Sequence, residues 1–311
     1  MMKLTFLGTG AGVPSATRNV ASTALDLMAE NGSIWLFDAG EGTQHQCMKA
    51  SLRIRRVNRI FITHLHGDHV FGLPGFLSSR SFQAETSPVY VYGPPGLTEL
   101  IDTTLRLTQS HLTYPLVTHE VEDGETLFHE DHFSVSVRGL DHVVPCFGYR
   151  IEEDPRPGAL QVDRLRQMGL GPGPWYGELK AGKTVTFPDG RTVDGREFLG
   201  PPIPGRVLAI CGDTRPAQAT VDLADNADVL VHESTYDHTQ ADLGSKYGHS
   251  TCDQVAQIAR RAGVRTLLLT HVSARHSLTD LHAMAHRARR IHPDTRVMDD
   301  LAEVEVPCPP L

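Results

Sequence analysis

The run Thr63-His64-Leu65-His66-Gly67-Asp68-His69 places three imidazoles and a carboxylate within six residues, directly after the apolar stretch Arg59-Ile60-Phe61-Ile62. Side chains two apart on an extended strand share a face, so His64 and His66 can aim at one cation. Gly67 then permits a tight reversal, after which Asp68 and His69 can turn toward a second cation. Imidazole nitrogen and carboxylate oxygen together suit Zn²⁺. One short loop cannot surround two ions, so further donors must come from distant sequence. His142 in Gly139-Leu140-Asp141-His142, Asp213 after the apolar run Val207 to Cys211, and His271 after Leu267-Leu268-Leu269-Thr270 each stand beside a strand-like segment. Loops gathered at one sheet edge are where α/β architectures build sites. A carboxylate such as Asp213 can bridge two cations in a hydrolytic centre.

These donors need strands to carry them and helices to cover the strands. Ala24 to Leu27, Ile34 to Phe37 and Val89 to Tyr92 read as strands. Gly96 to Thr108, Thr251 to Gly263 and Leu278 to Ile291 show apolar residues at helical spacing, with Asp253 and Asp280 suited to first turns. The chain's 311 residues, 40% hydrophobic, can bury one large α/β core over 1–311 in α, β, β, α layers. Arg59 to His64 resembles Arg265 to His271, and Leu36 to Gly40 echoes Ala209 to Asp213. An internal duplication and chance likeness between buried strands both account for that echo.

Residues 153–204 break the pattern, holding eight of the twenty prolines together with Gly169-Leu170-Gly171-Pro172-Gly173-Pro174. Lying between strands that must both reach the core, this stretch reads as an inserted arm that is not itself core. From Arg164 to Arg196 it carries six basic residues, Lys180 and Lys183 among them, against three acidic ones, with Trp175 and Tyr176 expected to be exposed. Basic groups beside aromatics suit RNA. A hairpin packing on its own body is the alternative. The whole chain is acidic, at formal charge −8, so any nucleic-acid contact must be local. Arg53, Arg55, Arg56 and Arg59 form a second cluster, either a phosphate-contacting patch or a solvated face. No segment reads as a membrane span, and Met1 to Phe6 runs into a strand without a secretory signal, which points to the cytoplasm. Five scattered cysteines without C-x-x-C spacing read as reduced thiols.

The H-x-H-x-D-H run, with His142, Asp213 and His271 in order, resembles the metallo-β-lactamase superfamily. Within it the chain is similar to the ribonuclease Z family. The residues that carry the narrower match are Phe6 to Pro14 with Arg18-Asn19, Phe37 to Gln44, His232-Glu233-Ser234-Thr235, Gly248 to Thr251, and Thr270 to Arg275. Ser234 stands where alanine is usual, His276 where tyrosine often follows Arg275, and Gly171 where the arm often has proline. The resemblance implies a metallo-β-lactamase αββα sandwich with an inserted flexible arm. It also implies two zinc ions per subunit, or other divalent ions, held by His64, His66, His142, Asp213, Asp68, His69 and His271. The activity it implies is cleavage of the 3′ trailer from precursor tRNA, leaving a 3′-hydroxyl on the tRNA. The family's Gly/Pro-rich arm grips the tRNA body, which assigns substrate binding to Gly171, Pro172, Gly173, Pro174, Lys180 and Lys183. The resemblance further implies that such an arm reaches a partner subunit's substrate, so a homodimer is expected.

Two cations sharing Asp213 would acidify a water and offset charge on the phosphoryl oxygens. Asp68 can orient that water or accept its proton. Departure of the ribose 3′-oxygen calls for an acid, and His249, oriented by Glu233, is the candidate; support of a neighbouring ligand is its alternative role. A broader metallo-phosphodiesterase, or another hydrolase of this fold, would use the same ligands without needing a basic arm. A non-catalytic RNA-binding module would not need the full ligand set. A redox di-iron centre fits less well, because His66 stands where a carboxylate would favour iron.

Overall fold

Alternation along the strands decides the layering. Phe61 joins one apolar cluster with Phe6, Trp35 and Phe37, whereas its neighbours Ile60 and Ile62 join a second with Leu73, Phe76 and Leu77. Likewise Leu208 and Ile210 face the first cluster, while Ala209 and Cys211 face a third with Val255, Ala256 and Met284. Strands apolar on both faces must be covered on both faces, which two stacked sheets flanked by helices achieve.

The computed structural model describes residues 2–308. It divides into two compact units, the larger formed by residues up to 152 together with 207–307, the smaller by 153–206 with Cys308. In the larger unit one seven-stranded sheet runs in the order Glu303–Glu305, Lys3–Gly8, Ser22–Leu27, Ser33–Phe37, Val57–Phe61, Val89–Gly93, Leu116–Glu120. The other runs Thr295–Val297, Thr266–Thr270, Val229–Glu233, Val207–Ile210, Cys146–Glu153, Phe133–Leu140, Thr126–Glu130. The shared core between them holds Trp35, Phe37 and Phe61 of the first sheet and Tyr149, Ile210 and Leu268 of the second. Helices Leu73–Ser81 and Leu97–Leu107 cover the first sheet's outer face; Cys252–Arg261 and Leu278–Ile291 cover the second's. Thr251 and Ser277 start the latter two with reciprocal capping boxes.

The duplication echo does not survive strand by strand. Ser33–Phe37 lies directly beside Val57–Phe61, but Val229–Glu233 separates Val207–Ile210 from Thr266–Thr270. The equivalent of Val57–Phe61 by position is therefore Val229–Glu233, not the strand that precedes His271.

The smaller unit encloses a core of its own. Helices Val162–Gln167 and Trp175–Lys180 and the hairpin of Thr184–Thr186 with Thr192–Asp194 enclose Leu165, Leu170, Leu179, Phe187 and Phe198. Trp175 and Tyr176 are half-buried rather than exposed, since they pack on this cluster and bond the carbonyls of Gly171 and Leu170. Among the described residues no disulfide joins the cysteines, and no helix is long and apolar enough to cross a membrane.

Candidate metal centre

The predicted donors of the larger unit converge where strands end. His64 and His66 follow Val57–Phe61, and Asp68 and His69 sit on the helical turn Gly67–Val70. Gly67 has no positive φ, so the chain turns there by entering a helix and not by a glycine-specific reversal. His142 follows Phe133–Leu140, Asp213 follows Val207–Ile210, Glu233 closes Val229–Glu233, and His271 follows Thr266–Thr270. Open α/β sheets place sites at such carboxyl ends.

Four overlapping groups have donor atoms mutually within 4.8 Å: His64, His66, His142; His64, His69, Asp213; Asp68, His69, His271; and Asp213, His249, His271. Asp213 Oδ2 lies 3.7 Å from His64 Nε2, 3.6 Å from His69 Nε2 and 3.4 Å from His271 Nε2. His66 Nδ1 is 3.1 Å from His64 Nε2 and 3.3 Å from His142 Nε2, and His69 Nε2 is 3.2 Å from His271 Nε2. Unprotonated ring nitrogens that close repel one another. A tetrahedral cation with bonds near 2.0–2.1 Å holds its donors about 3.3 Å apart, which these separations fit.

The rings are locked from behind. Nδ1 of His69 donates to Asp38 Oδ2 at 2.7 Å, and Nδ1 of His142 to the Gly248 carbonyl at 2.7 Å. Nδ1 of His64 faces Thr63 Oγ1 at 3.0 Å, and Nδ1 of His271 faces Thr235 Oγ1 at 2.9 Å. Each hydroxyl gives its own proton to a carboxylate, Thr63 to Asp38 and Thr235 to Glu233, leaving lone pairs for the imidazoles. Every one of these four rings thereby commits Nδ1 outward and turns Nε2 inward. Backbone constraints support the arrangement. Asp38 and His271 hold φ of 57° and 53°, strained for residues with a Cβ. Gly248 has φ 85°, and a Cβ there would meet His142 Nδ1 at 2.5 Å.

Charge follows the geometry. Burial opposes a charge on His69, but the Asp213 and Asp38 carboxylates outweigh it and hold its pKa well above the ordinary value. Burial and the positive neighbour His69 push His64 well below. Burial likewise works against Asp213, yet His271 and His69 keep it well below the usual carboxylate range. His249 is drawn down by burial and drawn up, to about 9, by its 3.0 Å bond to Glu233 Oε1. That bond occupies Nδ1, and His249 lines an open cavity of about 350 Å³ together with His66, Asp68, Tyr236 and Arg275.

Three features escape the sequence pattern: Asp38 behind His69, Thr235 joining Glu233, His249 and His271, and the Gly12 N–H that donates to Asp68 Oδ2 at 2.7 Å. A carboxylate directly after the apolar Ile34 to Phe37 was the available signal for Asp38. Arg59 leaves the proposed basic cluster, since it is buried against Trp35, Tyr90 and Phe128 and paired with Glu130. Gly171, Pro172, Gly173, Pro174, Lys180 and Lys183 all belong to the smaller unit. There Arg166, Arg191 and Arg196 pair with Asp163, Asp189 and Asp194, whereas Lys180 and Lys183 are exposed and have no ion pair among the described residues.

A family profile described as Anti-Pycsar protein Apyc1 matches residues 2–143. A "Ribonuclease Z" of Limosilactobacillus reuteri is 53% identical over 98% of this chain and 99% of its own. One from Bacillus licheniformis is 49% identical over 98% and 99%. The crystal structure of the short form of human tRNase Z superposes with a TM-score of 0.71 at 30% identity, over 98% of this chain and all of that one. A metallo-β-lactamase fold protein of Bacillus subtilis, 16% identical with a TM-score of 0.68 over 97% and 98%, shares the fold.

Proposed function

The chain belongs to the ribonuclease Z family of the metallo-β-lactamase fold, and from that premise we propose how it works as an endoribonuclease that removes the 3′ trailer from precursor tRNA. The reaction is hydrolysis of a phosphodiester, leaving a 3′-hydroxyl on the tRNA and a 5′-phosphate on the trailer. The observation that carries the reading is the set of overlapping donor groups around Asp213, which lines an open cavity together with His66, Asp68, His249 and His271.

His64, His66, His142 and Asp213 would hold one divalent cation, and Asp68, His69, His271 and Asp213 a second; zinc suits the nitrogen-rich donors. Such cations supply Lewis acidity, raising the share of deprotonated water at neutral pH and offsetting phosphoryl charge. Asp68, one oxygen fixed by Gly12, orients the attacking water with the other. Glu233 takes Nδ1 of His249 as a donor, denying that nitrogen to a cation and favouring the imidazolium. His249 then gives its Nε2 proton to the departing ribose 3′-oxygen.

Lys180 and Lys183 supply unpaired charge in a unit where Arg166, Arg191 and Arg196 are paired with aspartates, and with the Gly171 to Pro174 segment they form a site for the tRNA body. Phosphate contact replaces aromatic stacking in that role, because Trp175 and Tyr176 serve the unit's own core. The enzyme works as a homodimer in the cytoplasm. The test compares precursor tRNA with a small phosphodiester as substrates of the purified protein. Strong preference for the tRNA with defined end groups supports the reading, and equal turnover favours a broad phosphodiesterase.

A further inference from the structure

Asp300 touches no metal donor, yet it anchors the backbone around two of them. Its carboxylate follows the strand Thr295–Val297 and takes hydrogen bonds from three separate segments. The N–H and hydroxyl of Thr9 donate to Oδ1 at 2.9 and 2.7 Å; the N–H of Asn19 and Nε2 of Gln46 donate to Oδ2 at 2.6 and 3.0 Å. Thr9 and Asn19 bracket residues 10–18, and Gly10 N–H donates to the Asn19 carbonyl at 2.8 Å to close that loop. From the loop, Gly12 N–H reaches Asp68 Oδ2, the oxygen that lies 3.2 Å from His271 Nε2. Gly12 has φ 73° and nothing within 4 Å of where a Cβ would stand, so side-chain packing does not fix it. The loop's base also grips the far side of the pair. Val272 N–H donates to the Thr9 carbonyl at 2.8 Å, and Gly10–Ala11 pairs in parallel with Val272–Ser273, immediately after the strained His271.

We propose that Asp300 is a positioning residue: by fixing Thr9 and Asn19 it sets the Gly12 N–H against Asp68 and holds the chain behind His271, so that both donors are spaced for a cation before it binds. This rests on the metal-centre reading above. The alternative role, a hydrogen-bonded turn that only stabilises the fold, gives a different result in the following experiment.

The amide introduced by Asp300→Asn must turn its NH₂ toward either the Thr9 pair or the Asn19 and Gln46 pair, so donors on one side lose their acceptor. Full-length Asp300→Asn is stripped of metal, titrated with zinc by calorimetry, and assayed on bis(p-nitrophenyl) phosphate alongside wild type. Zinc affinity at the weaker site and kcat should each fall about tenfold, the scale of lost outer partners in metal sites, with KM changed less than about threefold and kcat restored by excess zinc. Asp228→Asn serves as the comparison, because that buried carboxylate bonds Val207 N–H and Arg265 at the opposite end of Val229–Glu233. It should lower Tm without moving zinc affinity. Asp300→Asn with wild-type zinc affinity and kcat, or with losses matched by Asp228→Asn at equal loss of Tm, overturns the proposal. Should Asp300→Asn fail to fold, Thr9→Val removes the hydroxyl bond from Thr9 to Asp300 and keeps the N–H bond, and the expected shift is about threefold in the same two quantities; no shift overturns the proposal. Wild-type protein that takes up no zinc overturns the metal-centre reading itself, and this proposal with it.

Discussion

At the strand ends Asp38, Asp213 and Glu233 are buried, and each faces a histidine carried by a separate segment. In residues 153–206, by contrast, Asp189 and Asp194 lie on the surface and bind the arginine two positions along. The first arrangement needs separate strand ends brought together before these carboxylates meet their histidines. The second is local, solvent-screened and contributes little to stability. A reacting centre demands fixed distances, which long-range burial imposes; on the proposed reading a surface for a large polyanion needs only accessible charge, which Lys180 and Lys183 would supply.

The sharpest way to break this contrast is to remove the shared carboxylate. Asp213→Ala should abolish cleavage and lower bound metal to about one ion per chain or fewer by elemental analysis, because both donor sets lose a member. An active variant retaining two ions would contradict the assignment. Next in size, His249→Ala should lower kcat about 10²-fold or more on precursor tRNA while sparing metal, the usual cost of a lost general acid. A substrate with a much better leaving group should be slowed far less; equal slowing would remove His249 from proton transfer.

On the other side of the comparison, deleting Asp163 to Arg196 with a short Gly-Ser bridge should weaken precursor tRNA binding about tenfold or more and flatten its salt dependence, since fewer counterions are released. Hydrolysis of a small phosphodiester should persist. Unchanged tRNA cleavage by the folded deletion would take the arm out of the mechanism. The smallest effect concerns the pair Glu153 and Arg206, bonded at 2.7 Å. Burial opposes the Glu153 carboxylate, but Arg206 holds its pKa below the ordinary value of 4.5. A carboxyl depressed on folding contributes stability above its unfolded pKa and loses it as pH falls through the folded value. Glu153→Gln should therefore lower Tm at neutral pH and match wild type in acid; a Tm gap that persists below the folded value would assign the loss to packing.

The residues brought together around Asp213 were legible in sequence because coordination chemistry dictates which residue types and local spacings a metal centre would use. His64, His66, Asp68 and His69 announce themselves within one loop, and His142, Asp213 and His271 follow from the need for strand-end ligands. The sheet layering was legible for a similar reason, since Ile60, Phe61 and Ile62 can be apolar together only if both faces are covered. What locks the rings was not. Thr63, Thr235 and Asp38 act through hydrogen bonds whose partners lie one to 36 positions away, and no periodicity marks such pairs. Trp175 and Tyr176 misled because composition does not say which side of a small unit an aromatic faces, and Arg59 because a run of arginines hides one that stacks inward on Trp35 and Phe128.

The central claim is that the buried donors around Asp213 carry phosphodiester cleavage of precursor tRNA. It is tested most directly by incubating end-labelled precursor with protein as purified, after chelation, and after zinc is restored, then identifying both new termini. The account predicts a single cut that leaves a 3′-hydroxyl on the tRNA and a 5′-phosphate on the trailer, lost on chelation and recovered with zinc. Cleavage undiminished by chelation, or a 3′-phosphate on the tRNA, would contradict it.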